Sequence, residues 1–526
     1  MASITKQTIG NNTYLYESHS FRDEQGRPRN HKVKIGKIDR TTGRARYTVE
    51  YIDRMREAGT PVELPEIDGL EEGISEALDS LKSYGLFYFL QKAAQKIKLI
   101  TILQNTFPAY WDELFMLCAF LIASDKPLMY MEDWIGEHES YPVGKMSSQR
   151  LSELLGAFGQ KERNDFFKAW SAANISDEYM AVDITSISSY SKLIPECEHG
   201  YNRNGENMDH VNFCLIFGEQ TQMPVYQTVY SGSIGDMATL KATLAEVAAI
   251  SGGKKLVLVA DKGFYSVKNV LMLIEQRYEF LLAVPFANKW TMELIREERD
   301  TIDRITNLIH SSGSPSRGVA QEMELEGTPL TAYVLYNPVR ALDDRNHWFS
   351  YVSWLKELVE TGKDTVAFLK DIEKYLLVQK DGKARSVKIR EDVLENKLET
   401  AGWLVMLGNG NLTVQQAHDI YWKKDVVEKA FMKYKSQLGL KRLRVHSELR
   451  MRNKMFIAFI ALTLVSFIHK IMKDKGLYRK MTMEKMFITL AKLKKVTVNG
   501  RGILRPLTKE QRDILKAFVI PLPSVG

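Results

Sequence analysis

The stretch Tyr421-Trp-Lys-Lys-Asp-Val-Val-Glu-Lys-Ala-Phe-Met-Lys-Tyr-Lys constrains this chain more than any other. Its pattern predicts a helix beginning at Tyr421. Tyr421, Lys424, Glu428 and Lys435 follow one another at steps of three, four and seven residues. At 3.6 residues per turn these steps place all four on one face. The face carries one carboxylate with cations on both sides, which suits a carboxylate that holds a metal ion beside cations that hold phosphates. Taken alone, such a face is ordinary solvated surface with a Glu/Lys pair. Two aspartates far upstream change the reading. Asp183 follows the apolar run 179–182 and Asp261 the apolar run 256–260, so each is expected at the end of a strand.

With these residues the chain resembles the DDE transposases of bacterial insertion sequences, in particular the group whose third acidic residue lies in a Y-x2-R-x3-E-x6-K helix (the insertion-sequence-four superfamily). Tyr421, Glu428 and Lys435 match that pattern, and Lys424 stands where the group usually has Arg. A Lys keeps the charge and loses the bidentate fork to phosphate. The resemblance covers most of the chain, roughly from the first strand to Leu464. It implies a ribonuclease H-like α/β core with a mixed sheet and a large insertion. It also implies that Asp183, Asp261 and Glu428 are catalytic and hold two Mg²⁺ or Mn²⁺ ions. Asp183 would bridge the pair, Asp261 would hold one ion and Glu428 the other. Phosphodiester cleavage asks for an activated water, transition-state stabilisation and support for a leaving 3′-oxygen, and two ions supply all three. Hard cations of this kind want oxygen ligands. The implied partners are double-stranded DNA, as element terminal repeats and target, and a second copy of the chain in the DNA complex. Two other functions compete: a DNA-binding relative that has lost catalysis, and a nuclease of the same fold that only hydrolyses.

The charge distribution points to the same partner. The net charge is +7, but residues 421–500 hold 20 Lys/Arg against 5 Asp/Glu, which is +15 and leaves −8 on the rest. A basic block after an acidic remainder suits a polyanion. Tyr421, Lys424, Lys435, Lys441, Arg442 and Arg444 are the expected DNA contacts, with Lys454 along the same path. His446, between Arg444 and Arg450, is a further candidate for a phosphate.

Other classes find little support. The cysteines, Cys118, Cys197 and Cys214, are odd in number and contain no CxxC pair, which speaks against a disulfide framework or a zinc site. No Walker sequence occurs, so ATP is not expected. The longest apolar run, 456–468, suits a buried helix better than a membrane span. The N-terminus has no signal-peptide pattern. A cytoplasmic, nucleoid-associated bacterial protein is expected.

At 526 residues the chain needs several domains. Residues 1–70 read as a β-rich region and linker, with a hairpin whose basic turn includes Arg27, Arg29, His31 and Lys32, either DNA-touching or simply solvated. The linker itself is expected at 51–70. Residues 71–175 read as helical, with helices at 74–86, 90–103, 111–123 and 151–172 and a capped start at Ser147. Similar transposases grip DNA ends with such a region, so DNA binding and dimerisation are assigned to it. Residues 176–290 form the first part of the core, with strands at 180–184, 212–218, 225–230, 256–260 and 279–284 and helices at 238–250 and 267–276. Asp261 and Glu428 lie 167 residues apart, more than the plain core needs, so 291–400 are expected as an insertion. Helices are expected there at 291–310, 349–360 and 365–374, with β-like stretches at 321–325 and 331–336. Residues 401–472 return to the core with the acidic helix, and 473–526 form a basic C-terminal region. Asp209, Asp236, His199 and His210 are weaker site candidates. Asp236 follows a Gly-rich turn and is expected to cap the next helix.

Overall fold

The computed structural model describes residues 3–10, 12–38, 45–48, 50–51, 54–55, 58, 81–251, 256–310, 315–363, 368–381, 384–436, 438, 442–498 and 501–523. Two units separate by their internal contacts: residues 1–82 with 495–504 and 525–526, and residues 83–494 with 505–524.

In the first unit, alternating apolar and polar residues form the antiparallel strands β1 (Ser3–Ile9), β2 (Asn12–Arg22), β3 (Pro28–Ile38) and β4 (Ala45–Tyr47), paired in that order. Leu15, Ile35 and Tyr51 make its small core. Residues 59–70 of the expected linker lie outside the described residues.

The second unit opens with helices α1 (Gly85–Lys96), α2 (Leu99–Thr106), α3 (Trp111–Ala123), α4 (Met131–Glu137), α5 (Ser148–Leu154) and α6 (Gln160–Asn174). The helix expected at 90–103 is two helices, because Lys98 between them is left-handed at φ 57°. The one expected at 151–172 is also two. The Ser147 side chain caps the first, accepting from the Arg150 N–H, and the second restarts at Gly159 with the Glu162 carboxylate on its N–H. The helix expected at 74–86 falls largely on residues 74–80, outside the described residues.

The core strands follow: β5 (Glu178–Ser188), β6 (His210–Gly218), β7 (Pro224–Ser231), then α7 (Asp236–Ser251), β8 (Leu256–Ala260), α8 (Val267–Glu275) and β9 (Glu279–Ala283). β5, β6 and β7 are antiparallel, whereas β8 pairs parallel to β5 and β9 parallel to β8. The spatial order β7-β6-β5-β8-β9 is the ribonuclease H-like arrangement.

After β9 come α9 (Lys289–Glu298), β10 (Leu308–Ile309), β11 (Ser316–Leu325), β12 (Thr328–Tyr336), α10 (Pro338–Glu360), α11 (Leu369–Tyr375), β13 (Leu376–Asp381), β14 (Ala384–Ile389), α12 (Glu391–Glu399) and β15 (Trp403–Gly408). β15 pairs with β9, and β12, β11 and β10 continue outward, so the sheet has nine strands among the described residues. The helix expected at 291–310 ends at Glu298. Beyond it the Asn307 side chain binds the Thr301 carbonyl and Thr301 binds Glu298, local bonds that compete with a helical backbone. The helix expected at 349–360 begins earlier, at Pro338, where Asn337 caps it and Pro fits the first turn. Val352, Leu355, Val359, Ile372 and Leu394 pack a separate small core among α10–α12 and the β13–β14 hairpin.

The chain returns through α13 (Val414–Lys423) and α14 (Asp425–Ser436) to α15 (Glu448–Asp474). α15 is long and apolar enough to cross a membrane. Most of its apolar residues, from Met451 to Met472, are instead buried inside the second unit. Each Leu, Ile or Phe there contributes roughly 1.5–3 kcal/mol of burial.

Candidate active site

The register of β5 and β8 sets the site. Their parallel pairing ends at Val182 opposite Ala260, so Asp183 and Asp261 are the next residue on each strand. β8 stops there. β5 does not: it continues to Ser188 on its pairing with β6. Asp183 is therefore mid-strand and not at a strand end, because β6 goes on supplying hydrogen bonds after β8 has turned away.

The acidic helix also differs from expectation. It does not begin at Tyr421. α13 starts at Val414, capped by Thr413, and the chain breaks at Lys424 before α14 begins. Around the break the bonds tighten to three-residue steps: Lys424 N–H to the Tyr421 carbonyl, and Val427 N–H to the Lys424 carbonyl. Tyr421 and Glu428 thus sit on consecutive helices, with Lys424 at the joint.

This joint lies against Asp261. The Tyr421 hydroxyl donates to Asp261 Oδ1 at 3.2 Å. Lys424 Nζ is 3.7 Å from Asp261 Oδ2 and 3.8 Å from Glu428 Oε1, on a side chain only 5% exposed. Burial alone would raise the Asp261 carboxyl. The Lys424 ammonium, the Lys262 N–H at 2.8 Å and the Tyr421 hydroxyl outweigh it and hold the group below the usual carboxylate range. Burial pushes the Asp183 carboxyl up to about 6, against the pull of Lys424 and of the Ile184 N–H, with the charges of Asp261 and Glu428 adding to the rise. The three carboxylates share one electrostatic environment, and Lys424 is the cation common to all of them.

Lys435, seven residues past Glu428, donates to Thr185 Oγ1 and Asn204 Oδ1, both at 2.6 Å. It ties α14 to β5 two residues beyond Asp183. A cleft of about 430 Å³ opens over Asp261, Tyr421, Lys424 and Glu428, and Lys262 and Arg340 also line it. Arg340 comes from the start of α10. Nothing local in the sequence signals it, since it lies 81 residues before Tyr421. Asp236, in the first turn of α7, forms an ion pair with Arg203, a second residue that sequence reasoning missed, whose guanidinium also holds the Asn212 side chain. Gly263 lies so near Asp236 that a Cβ would meet Asp236 Oδ2 at 2.6 Å. His210 is buried in β6.

A second cavity, of about 690 Å³, carries the basic loop: Lys435, Arg442, Arg444, His446, Arg450 and Lys454 line it above leucines of α3 and α5. Arg444 is exposed and left-handed at φ 50°. Arg442 pairs with Glu206 at 2.8 Å. Lys454 is the most enclosed of these cations. It is buried, donates to the Leu443 carbonyl at 2.6 Å, and burial with Arg444 nearby pushes it down to about 8. Lys441 lies outside the described residues.

The donor chemistry suits a divalent cation. All three acidic groups offer hard oxygen, and a half-buried carboxyl raised to about 6 is stabilised in its charged form by an added positive charge. Among the described residues no three acidic, His or Cys side chains are drawn together as tightly as the ligands of a single ion. The Lys424 ammonium stands between two of the carboxylates.

The sheet is thus ribonuclease H-like, with one carboxylate at the end of its central parallel pairing and another on the helix beside it. Residues 176–464, more than half of the chain, match the transposase DDE domain, and the chain belongs to that family of DNA-transposing enzymes, which use divalent metal ions. A solved structure of piggyBac transposase, in a synaptic complex with hairpin DNA, is similar at 10% identity and a TM-score of 0.35, over 72% of this chain and 70% of that one. No curated protein matches the chain.

Proposed function

We propose that this protein cuts DNA at the ends of its own bacterial element and joins the freed 3′-hydroxyls to target DNA, as a member of the Y-x2-R-x3-E-x6-K group. Asp183, Asp261 and Glu428 are its catalytic carboxylates and hold two divalent ions, Mg²⁺ or Mn²⁺. The observation that carries this reading is the meeting of the acidic helix with β8: one ammonium within 3.8 Å of both Asp261 and Glu428, beside a strand register that brings Asp183 next to Asp261.

Bound there, the ions would supply an activated attacking oxygen and stabilisation of the leaving 3′-oxygen. The chain's own groups do the rest. Asp183 offers a half-buried carboxylate whose charged form a nearby cation would favour. The Tyr421 hydroxyl fixes the rotamer of Asp261. Lys435 fixes β5 against α14, and with it the position of Asp183. In the first step water attacks the phosphodiester and the 3′-oxygen leaves as a hydroxyl. In the second that hydroxyl attacks a target phosphodiester and displaces the target's 3′-oxygen. Arg442, Arg444 and Lys441 accompany the DNA backbone along the basic loop, and Tyr421, Lys424 and Lys435 complete the phosphate-facing set. The helical region 71–175 joins in gripping the ends, residues 291–400 are the insertion, and two copies assemble on DNA without ATP.

The test is a strand-transfer assay with duplexes from the ends of the element, a target plasmid, and Mg²⁺ or Mn²⁺. Joined product that disappears in Glu428→Gln supports the proposal. Cleavage without joining would mean a hydrolytic nuclease. Binding without cleavage in either metal would mean an inactive relative, a reading that Lys424 in place of Arg keeps open.

A further inference from the structure

β2 and β3 run antiparallel from Thr13 opposite Ile38 to Arg22 opposite Pro28. Only the base of this hairpin is held in a sheet. β1 pairs with β2 no farther than Ser18, and β4 pairs with β3 only over residues 36–38. The small core of Leu15, Ile35 and Tyr51 lies at the same base. Farther out, residues 19–22 and 24–34 are all exposed, so the ribbon is wet on both faces. A sheet packed on a core shows water one face and hides the other. This ribbon hides neither.

Two strands without a core are marginal by themselves, and the tip is braced accordingly. The Asp23 carboxylate accepts from the Gln25 N–H at 3.1 Å, the Arg27 N–H at 2.9 Å and Arg29 Nε at 3.0 Å. Arg22 donates to the Gly26 carbonyl at 2.8 Å, and Gly26 takes the left-handed φ of 77° that the turn needs. The ribbon is thus a shaped projection. It is also basic: Arg22, Arg27, Arg29, Lys32, Lys34 and Lys37 stand against Glu17, Asp23 and Glu24.

We propose that this ribbon is a DNA-reading arm that enters the major groove of double-stranded DNA. That groove, about 12 Å wide, admits a two-stranded β-ribbon. Cross-strand partners share a face, so His19 with His31 and Phe21 with Arg29 form one face, and Ser20 with Asn30 and Ser18 with Lys32 the other. Arg and His supply donors for base edges, and Phe21, 54% exposed, is an apolar group for a thymine methyl. Arg27 and Lys32 reach phosphates and set the depth of entry.

The inference rests on the transposase reading for its partner, and the test separates the two. Binding of the full-length chain to duplexes tiling the ends of its element, and to a scrambled duplex, is followed by fluorescence anisotropy at several salt concentrations. Arg27→Ala/Lys32→Ala should weaken both kinds of duplex about tenfold and flatten the log–log salt slope by about two. Phe21→Ala/His31→Ala should weaken the end duplexes selectively. Methyl green, a major-groove ligand, should compete, and distamycin, a minor-groove ligand, should not. All four substitutions are at exposed positions, and melting curves matching wild type confirm an intact fold. Unchanged affinity and slope in both variants, or competition by distamycin alone, overturns the arm while leaving the transposase reading in place. Failure of the wild type to bind any duplex overturns that reading itself.

Discussion

The ammonium of Lys424 lies 3.7 Å from Asp261, a residue 163 positions earlier in the chain, and is nearly sealed from solvent there. It is equally close to Glu428, one turn on. A surface lysine would be replaceable by anything soluble. This one neutralises two carboxylates at the mouth of a cleft, and its loss leaves them facing each other across a partly buried site.

Lys424→Arg should therefore retain most strand-transfer activity, because the charge is kept. Lys424→Ala should lose at least about tenfold, the equivalent of roughly 1.4 kcal/mol in the barrier. Product yields measured side by side decide it. Equal activity in all three forms would make Lys424 a bystander.

Glu428→Gln is expected to abolish cleavage and leave DNA affinity nearly intact. On the proposed reading it removes a metal ligand and no cation. Titration of an end duplex alongside the cleavage assay checks both halves, and a parallel loss of binding would show that Glu428 organises the DNA surface as well.

The basic loop should govern salt dependence. Arg442→Ala together with Arg444→Ala is expected to flatten the log–log slope of affinity against salt by roughly two units, and to weaken end and unrelated sequences alike. Lys454→Met should behave differently. It holds the Leu443 carbonyl from a buried position, so thermal stability should fall while the salt slope stays as in wild type.

Glu219, buried at the turn between β6 and β7, supplies a pH test away from the active site. Burial pushes its carboxyl up to about 8, with the Lys423 charge opposing the rise and Glu178 adding to it. The native protein thus holds a proton that the unfolded chain releases near its ordinary 4.5. The resulting stability is full below pH 4.5 and is lost as pH rises towards 8. The loss is on the order of 3–5 kcal/mol. Urea denaturation at pH 5 and pH 8.5 should show it in wild type and not in Glu219→Gln. Parallel curves for the two proteins would refute it.

Residues that reach function through local pattern were legible beforehand. Asp261 follows an apolar run and follows a strand, since valines alternating with leucines favour a strand. The one-faced spacing of Lys424, Glu428 and Lys435 survives even though the helix is broken at Lys424, because the break tightens the turn without rotating Glu428 away. Apolar 456–468 was legible as buried for the same reason: an all-round apolar helix has to find protein or lipid on every side.

The chain's own residues thus determined the acidic groups, the basic block and the alternation of the N-terminal hairpin, all of which depend on neighbours a few positions away. Tertiary structure decided the rest. Asp183 is mid-strand because β6 outlasts β8, a fact of pairing between segments some 30 residues or more apart. Arg340 and Arg203 reach the site from distant segments, Arg442 is engaged by Glu206, and Lys454 is taken out of play by burial. A cation's role depends on what it faces once the chain has closed around it: the same lysine is a phosphate contact in water, a counterion between carboxylates, or a strut for a loop.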